Sequence, residues 1–376
     1  MMYFHKVLFL LLISLCNVYA ANSSSNILEY TQPNTDHPDF IIRDNFYMVK
    51  SDWSTMKGFT SENMQDVLQS YQNVCKVIAK KPANAGLQSK LLQIGTMQDL
   101  QNICEEMQNL EHKNNNAIMK YFAENFIPYL LGDDNLNTNK GTFTGYYYPT
   151  LNASRTKEGK YKYPIYKKPP ELQSGQPFLT RLEIEKGSLN GRGLEIFWTD
   201  DFVDLYFLHI QGSGMLKLTD GTYTHVKFSA KNGQPYDSIG KYMLAKGYIQ
   251  KGSDTKNFLI KNEHLAQEIM GVNKSYIFFE EDKSGVVRGA HGSELVDNRS
   301  LAVDNQFIPY GAMLFINTKN YNKFMFAQDT GSAIKGVIRG DIFTGEGYEA
   351  GEIAKTIHQP GFAYILVHKS QGFKWI

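Results

Sequence analysis

Apolar residues in the first third of the chain recur at three- and four-residue steps. Val67, Leu68, Tyr71, Val74, Cys75 and Ile78 form one series, and Leu100, Ile103, Cys104, Met107 and Leu110 form a second behind a cap at Thr96. A third apolar stretch, 118–126, stops before Pro128. One face of a 3.6-residue helix repeats in this way, so the pattern predicts a mainly helical N-terminal part. The pattern changes at Gly141. Residues 142–228 are rich in Thr, Tyr, Phe and Val and broken by Gly, Asn and Pro, which predicts strands and turns, with 143–147 and 203–210 as two of the strands. Short helices are expected at 239–246, stopped by Gly247, and at 263–270. After Leu301 the chain reads as β again, with strands at 313–316, 324–327 and 362–367 and one helix at 351–357. The expected fold class is mainly β with N-terminal helices, and no internal repeat is visible.

The first 20 residues follow a different rule. Lys6 precedes the apolar run 7–13, and Val18-Tyr19-Ala20 follows, which is the three-part pattern of a secretory signal cleaved after Ala20. A second reading makes Cys16 a lipid-anchored N-terminus, because Leu12-Ile13-Ser14-Leu15-Cys16 loosely resembles a lipobox, although Leu15 is bulky where a small residue is usual. The run is too short for a good membrane span. Polar residues 21–40 then form a flexible leader.

At 376 residues the chain is long enough for two domains. Its 39 Lys and Arg balance 38 Asp and Glu, so charge gives no reason to expect nucleic acid or an anionic membrane surface. Aromatic residues make up 13% of the chain; flat rings suit either a Tyr/Phe-rich core or the apolar faces of sugars. Removal of the signal leaves Cys75 and Cys104, which in an oxidising compartment either pair or stay as buried thiols on helix faces. No Cys/His cluster has zinc spacing and no His-Glu-x-x-His occurs, so neither metal nor cofactor is expected.

Familiar catalytic templates fail. Residues 331–336 have the glycine spacing of a phosphate loop, but Val337 stands where Lys is required, and Gln211-Gly212-Ser213-Gly214 lacks the leading glycine of a nucleophile elbow. The remaining polar features gather near the C-terminus. Asp329 follows the strand at 324–327 and precedes the turn-forming Thr330-Gly331-Ser332, while Asp304 and Asp341 stand near other strand ends. Three acids sharing a cleft would raise the pKa of one of them, which a general acid for glycosidic cleavage needs. Spacing alone leaves ordinary Asp turns and caps as the commoner explanation. Three Gly- and amide-rich loops offer a sugar-binding reading: Thr144-Gly145-Tyr146, Gln211-Gly212-Ser213-Gly214 and Lys231-Asn232-Gly233.

Taken in order, these motifs resemble the membrane-bound lytic murein transglycosylase A (MltA) family with its C-terminal 3D domain, named for three aspartates. The resemblance runs through Asp52-Trp53-Ser54, Gly141-Thr142-Phe143-Thr144-Gly145-Tyr146-Tyr147, Ile210-Gln211-Gly212-Ser213-Gly214 and Lys231-Asn232-Gly233. It ends with Leu301-Ala302-Val303-Asp304, Gln328-Asp329-Thr330-Gly331-Ser332-Ala333-Ile334-Lys335-Gly336 and Arg339-Gly340-Asp341. Tyr148 departs from it, standing where many relatives carry an acid.

The resemblance implies a double-psi β-barrel domain, a smaller inserted β domain and a groove between them. The implied division is 1–20 signal, 21–40 leader, 41–150 N-terminal helices and first part of the barrel, 151–280 insert, and 281–376 second part of the barrel. It also implies cleavage of the β-1,4 bond between N-acetylmuramic acid and N-acetylglucosamine in peptidoglycan, with 1,6-anhydromuramyl ends. Asp329 falls on the catalytic position and Asp304 and Asp341 on supporting ones. The glycan-binding set would comprise Thr144, Gly145, Tyr146, Gln211, Gly212, Ser213, Gly214, Lys231, Asn232, Gly331, Ala333 and Lys335. The expected partner is the peptidoglycan strand, acted on by a monomer that is exported to the periplasm and, in the Cys16 reading, held at the outer membrane. A binding protein that has lost catalysis and a two-carboxylate glycan hydrolase stay open as alternatives.

Overall fold

The structure, a computed structural model, describes residues 40–43, 46–85 and 96–371. The expected export segment, Cys16 and most of the expected leader lie outside the described residues.

Strands β1 (Phe40–Arg43) and β2 (Phe46–Lys50) open the chain. Helices α1 (Met64–Ile78), α2 (Met97–Gln108) and α3 (Asn115–Asn125) follow. Each starts at a side-chain cap that accepts from an otherwise orphaned backbone N–H: Asn63, Thr96 and Asn114. Thr96 and Asp99 cap one another reciprocally. The two periodic series expected to form helix faces are those that bury Val67, Tyr71, Val74 and Ile78 on α1 and Leu100, Ile103 and Met107 on α2. Cys75 and Cys104 form a disulfide that ties α1 to α2.

Strands β3 (Phe126–Asp133) and β4 (Gly141–Tyr148) lead into a second sheet. There the chain makes β5 (Thr150–Ser154), β6 (Tyr163–Tyr166), the short turn α4 (Arg181–Glu183), β7 (Glu195–Thr199) and α5 (Phe202–Gln211). It continues with β8 (Ser213–Leu218), β9 (Tyr223–Lys231), α6 (Ile239–Ala245), α7 (Thr255–Lys261), α8 (Glu263–Gly271) and β10 (Ile277–Asp282). The return to the first sheet brings β11 (Ser300–Val303), β12 (Met313–Thr318), β13 (Asn322–Asp329), β14 (Arg339–Glu346), α9 (Gly347–Thr356) and β15 (His358–His368). The helices expected at 239–246, 263–270 and 351–357 and the strands at 313–316, 324–327 and 362–367 are all present, within a few residues at their ends.

The first sheet has the order β1-β2-β3-β15-β12-β13-β11-β14-β4, and an additional β15–β4 pairing closes its last six strands into a ring. β12 shows why the sequence there is continuously apolar. Leu314 and Ile316 point into the ring beside Met325, Ala327 and Ile365, whereas Met313 and Phe315 pack on the other face beneath the helices with Phe324, Phe326 and Tyr364. Successive residues of a strand face opposite sides, so a strand covered on both sides has no polar alternate. The second sheet has the order β10-β9-β8-β5-β7-β6 and its own core, including Leu151, Phe197, Leu208, Leu216 and Phe279. Among the described residues no helix is long and apolar enough to cross a membrane.

One expected element is corrected. Residues 203–210 form helix α5, not a strand. Asp201 accepts from the N–H groups of Val203 and Asp204, and Gly212 (φ 82°) ends the helix in the left-handed region. Val203, Leu205, Tyr206, Leu208 and His209 are all buried, spread around most of the helix. A segment apolar on nearly every side carries no 3.6-residue period, so rings and branched side chains made it read as β.

Candidate active site

A cleft of about 260 Å³ lies between the two sheets. From the first sheet it takes Gly145 and Tyr146 of β4, Asp329 at the end of β13, the loop residues Thr330, Gly331, Ser332 and Ala333, and Arg339 and Asp341 of β14. From the second it takes Arg181, His209, Gln211, Tyr236, Asn273 and Ser275.

Asp329 is the last residue of β13, paired with Ala302 of β11 just past a shift in register. Its Oδ1 accepts from the backbone N–H of Ala290 and of Thr330, both at 2.9 Å, and its Oδ2 accepts from the Tyr146 hydroxyl at 3.0 Å. Burial raises its pKa above the ordinary carboxylate value, while the three donors pull it back toward ionisation; burial wins. The Tyr146 hydroxyl is itself held far above its ordinary pKa, first by burial and then by the Asp329 charge, so it stays a donor. Gly289 brings the Ala290 N–H to this place. A Cβ on Gly289 would lie 2.3 Å from the Gln328 carbonyl oxygen, so only glycine allows that approach. Buried Gln328 fixes the same loop by donating to Ser293 Oγ and to the Glu294 carbonyl, each at 2.8 Å.

Asp341 shares the cleft. β14 pairs parallel with β4, which sets Asp341 opposite Thr144. The Thr144 hydroxyl donates to Asp341 Oδ1 and accepts from Arg339 Nη2 at 2.7 Å. Burial raises the Asp341 pKa to about 6 against the opposing effects of Thr144 and Arg339, with the Asp329 charge adding to the rise. Asp304, 2% exposed, lies behind the cleft instead of in it. Its Oδ2 accepts from the Gly336 N–H at 3.0 Å and its Oδ1 from the Gln306 N–H at 3.2 Å, so it fastens the loop that follows Asp329.

Of the residues singled out in the sequence, Gly145, Tyr146, Gln211, Asp329, Gly331, Ala333 and Asp341 line the cleft together. Gln211 also accepts from the Tyr147 N–H at 3.3 Å and so joins the second sheet to β4. Others lie outside the lining. Gly214 packs against Leu208 and Pro149, and Gly212 and Ser213 mark the junction of α5 with β8. Lys231 ends β9. Asn232 is fully buried and donates to the Leu179 and Lys274 carbonyls, a structural use of its amide. Lys335 is exposed and approaches Asp304 at 3.8 Å.

Tyr236, which also lines the cleft, closes the loop 231–236 already read as a sugar-binding candidate; sequence reasoning passed over Arg181, His209, Asn273 and Ser275. None stands in a Gly-rich loop; the only local signal was the Thr180–Glu183 capping box that starts α4 at Arg181. Among the described residues no group of three or more His, Cys, Asp or Glu could hold a metal ion.

Comparison with known proteins agrees with this architecture. Residues 142–280 match the MltA-specific insert domain and residues 299–367 match the 3D domain. The chain is 32% identical over 241 residues to membrane-bound lytic murein transglycosylase A of Escherichia coli K12, an alignment covering 60% of this chain and 65% of that protein. It therefore spans just under two thirds of that relative's length. Among solved structures, a membrane-bound lytic murein transglycosylase from Agrobacterium tumefaciens superposes with a TM-score of 0.76 at 28% identity, covering 86% of this chain and 98% of that one. MltA from Neisseria gonorrhoeae gives 0.70 at 27% identity, covering 89% and 95%. With both characteristic domains in order and the fold shared along most of its length, the chain belongs to the MltA family and carries its 3D domain.

Proposed function

We propose that the protein is a lytic transglycosylase that cuts the β-1,4 bond between N-acetylmuramic acid and N-acetylglucosamine in peptidoglycan, with Asp329 as its acid and base. The observation that carries this reading is the balanced environment of Asp329. Burial favours the protonated carboxyl, which gives its proton to the glycosidic oxygen as the bond to the anomeric carbon breaks. The carboxylate left behind is met by the donors of Ala290, Thr330 and Tyr146. It then takes the proton of the muramyl 6-hydroxyl as that oxygen closes on the anomeric carbon. The nucleophile belongs to the substrate, so one carboxyl serves both steps and no water is consumed.

Asp304 and Asp341 are supporting acids in this reading. Asp304 orders the loop, and Asp341, linked to Arg339 through Thr144, shares the cleft as a second buried acid whose own pKa is raised by burial and further by the Asp329 charge. We infer that the six-strand ring is the double-psi barrel domain, made of 41–150 and 281–376, with 151–280 inserted; its two parallel pairings, β4 with β14 and β11 with β13, support this. We also propose that the protein works as a periplasmic monomer after cleavage behind Ala20. Mass measurement of the mature N-terminus tests that processing, since a lipidated Cys16 is much heavier than a free Ala21.

The deciding experiment is product analysis of digested murein sacculi. Anhydromuramyl ends are expected, and Asp329→Asn should lower their release by at least ~10²-fold. Reducing ends would instead establish a hydrolase, a reading favoured by the second carboxylate, Asp341, in the same cleft. Absence of soluble fragments would leave a binding protein.

A further inference from the structure

The reaction as proposed makes no use of the second sheet's side of the cleft, where Arg181 and His209 are buried at 1% and 4% exposure. The Arg181 guanidinium lies over the rings of Tyr206 and Tyr276, 4.6 and 5.2 Å from their centroids. It donates through Nε to the Asn273 carbonyl at 3.1 Å and through Nη2 to the Ser275 carbonyl at 2.7 Å. Through Nη1 it donates to Glu185 at 3.1 Å and to His209 Nδ1 at 2.9 Å.

A guanidinium has donors and no acceptor, so His209 Nδ1 must be the unprotonated nitrogen. Burial first, and the Arg181 charge second, hold the His209 pKa well below its ordinary value, so the ring is neutral. Its single ring proton is therefore on Nε2. That Nε2 is buried and has no hydrogen-bond partner among the described residues. The ring cannot turn to find one, since it is packed between Tyr276 and Phe279, with centroids 4.2 and 5.4 Å away. Leaving a buried donor unmet costs the full desolvation of the group, and native proteins rarely keep one without use.

We propose that His209 is a substrate-binding residue whose Nε2–H donates to a neutral oxygen of the glycan, an acetamido carbonyl or a sugar hydroxyl, across the cleft from Asp329. The assignment rests on the glycan reading of the cleft. Arg181 is the positioning residue: it fixes the tautomer and so makes this point of the cleft a donor only. An oxygen is accepted there, and an ammonium, as on a de-N-acetylated sugar, is refused.

The test uses the full chain with Asp329→Asn, so that no turnover occurs, and titrates it with chitohexaose, a β-1,4 hexamer of N-acetylglucosamine. His209→Asn keeps an amide oxygen to accept from Arg181 but has nothing at the place of Nε2. His209→Gln keeps a donor near that place. His209→Asn should weaken chitohexaose binding by about 3–10-fold, measured well below its thermal midpoint, and His209→Gln should recover most of the loss. Repeating the titration with the de-N-acetylated hexamer tells the two oxygens apart: a loss confined to chitohexaose assigns the acetamido carbonyl, and an equal loss assigns a hydroxyl. Unchanged binding by His209→Asn overturns the proposal, as does a lowered melting point with no recovery by His209→Gln, which would make His209 structural. If the parent protein binds neither oligomer, the glycan reading itself fails, and this proposal with it.

Discussion

Tyr146→Phe isolates the electrostatics of the proposed catalytic acid. Among the described residues the Tyr146 hydroxyl alone donates to Asp329 Oδ2, the other two donors being on Oδ1. Phenylalanine keeps the ring, which packs 5.3 Å from that of Phe343, and removes only the hydroxyl. The hydrogen bond stabilises the ionised carboxyl, so its loss raises the pKa of Asp329 further. A hydrogen bond to a charged group contributes about 1.5–3 kcal/mol. At 1.36 kcal/mol for each pKa unit, the acid should stay protonated to a pH about 1–2 units higher. The assay is the rate of anhydromuropeptide release from sacculi at limiting substrate, measured across pH 4–9. The basic limb of the profile reports the acid that must be protonated, and in the variant it should move up by that interval. A limb that stays in place or moves down would refute both the role of Asp329 as first-step acid and the stabilising direction of the Tyr146 contact.

Other expectations follow from the same geometry. Asp341 has a folded-state pKa of about 6, above its unfolded value of 3.8, so the folded chain binds more protons in that window and loses stability as pH rises through it. Asp341→Asn removes the loss, and urea unfolding should show the variant gaining on the wild type by up to about 3 kcal/mol between pH 4 and pH 7. Gly289→Ala must move the loop away from the Gln328 carbonyl and take the Ala290 N–H off Asp329; kcat should fall by about tenfold, with the basic limb displaced upward as in Tyr146→Phe. Cys75 and Cys104 close a loop with a sequence separation of 29, and replacing both with serine should lower unfolding free energy by about 3–4 kcal/mol, read as a lower urea midpoint.

The helices and the C-terminal strands were legible because each has one recurring apolar face or an unbroken apolar run between turns. Val67 to Ile78 could be read from steps of three and four alone, and 313–316 from its run of large side chains. α5 was not legible, for the same physical cause in reverse: burial around most of its surface erased the period. That misreading also hid His209. On a strand it would have been one more residue of alternating exposure; on the helix it turns toward Arg181, a contact between residues 28 apart that no local pattern announces. The aspartates differed in what the chain could say about them. Asp329, Asp304 and Asp341 all stand near strand ends, yet only pairing across the whole chain brings the first and third to the cleft and sets the second behind it. Asn232, expected in a glycan-binding loop, has its amide buried as a fastening for two backbone carbonyls.

The parallel pairing of β4 with β14 has a consequence in time. Tyr146 meets Asp329 across 183 residues of sequence, and Thr144 meets Asp341 across 197. Contacts that distant form only after a long stretch of chain has given up its freedom, and topologies dominated by them fold slowly. A polypeptide emerging from its N-terminus completes β4 and the whole second sheet before Asp329, the acid that Tyr146 of β4 contacts, has left the ribosome. A cleft built in this order cannot be complete in a nascent chain or in one truncated before β13: the pairing of Tyr146 with Asp329 is among the last contacts that the molecule can acquire.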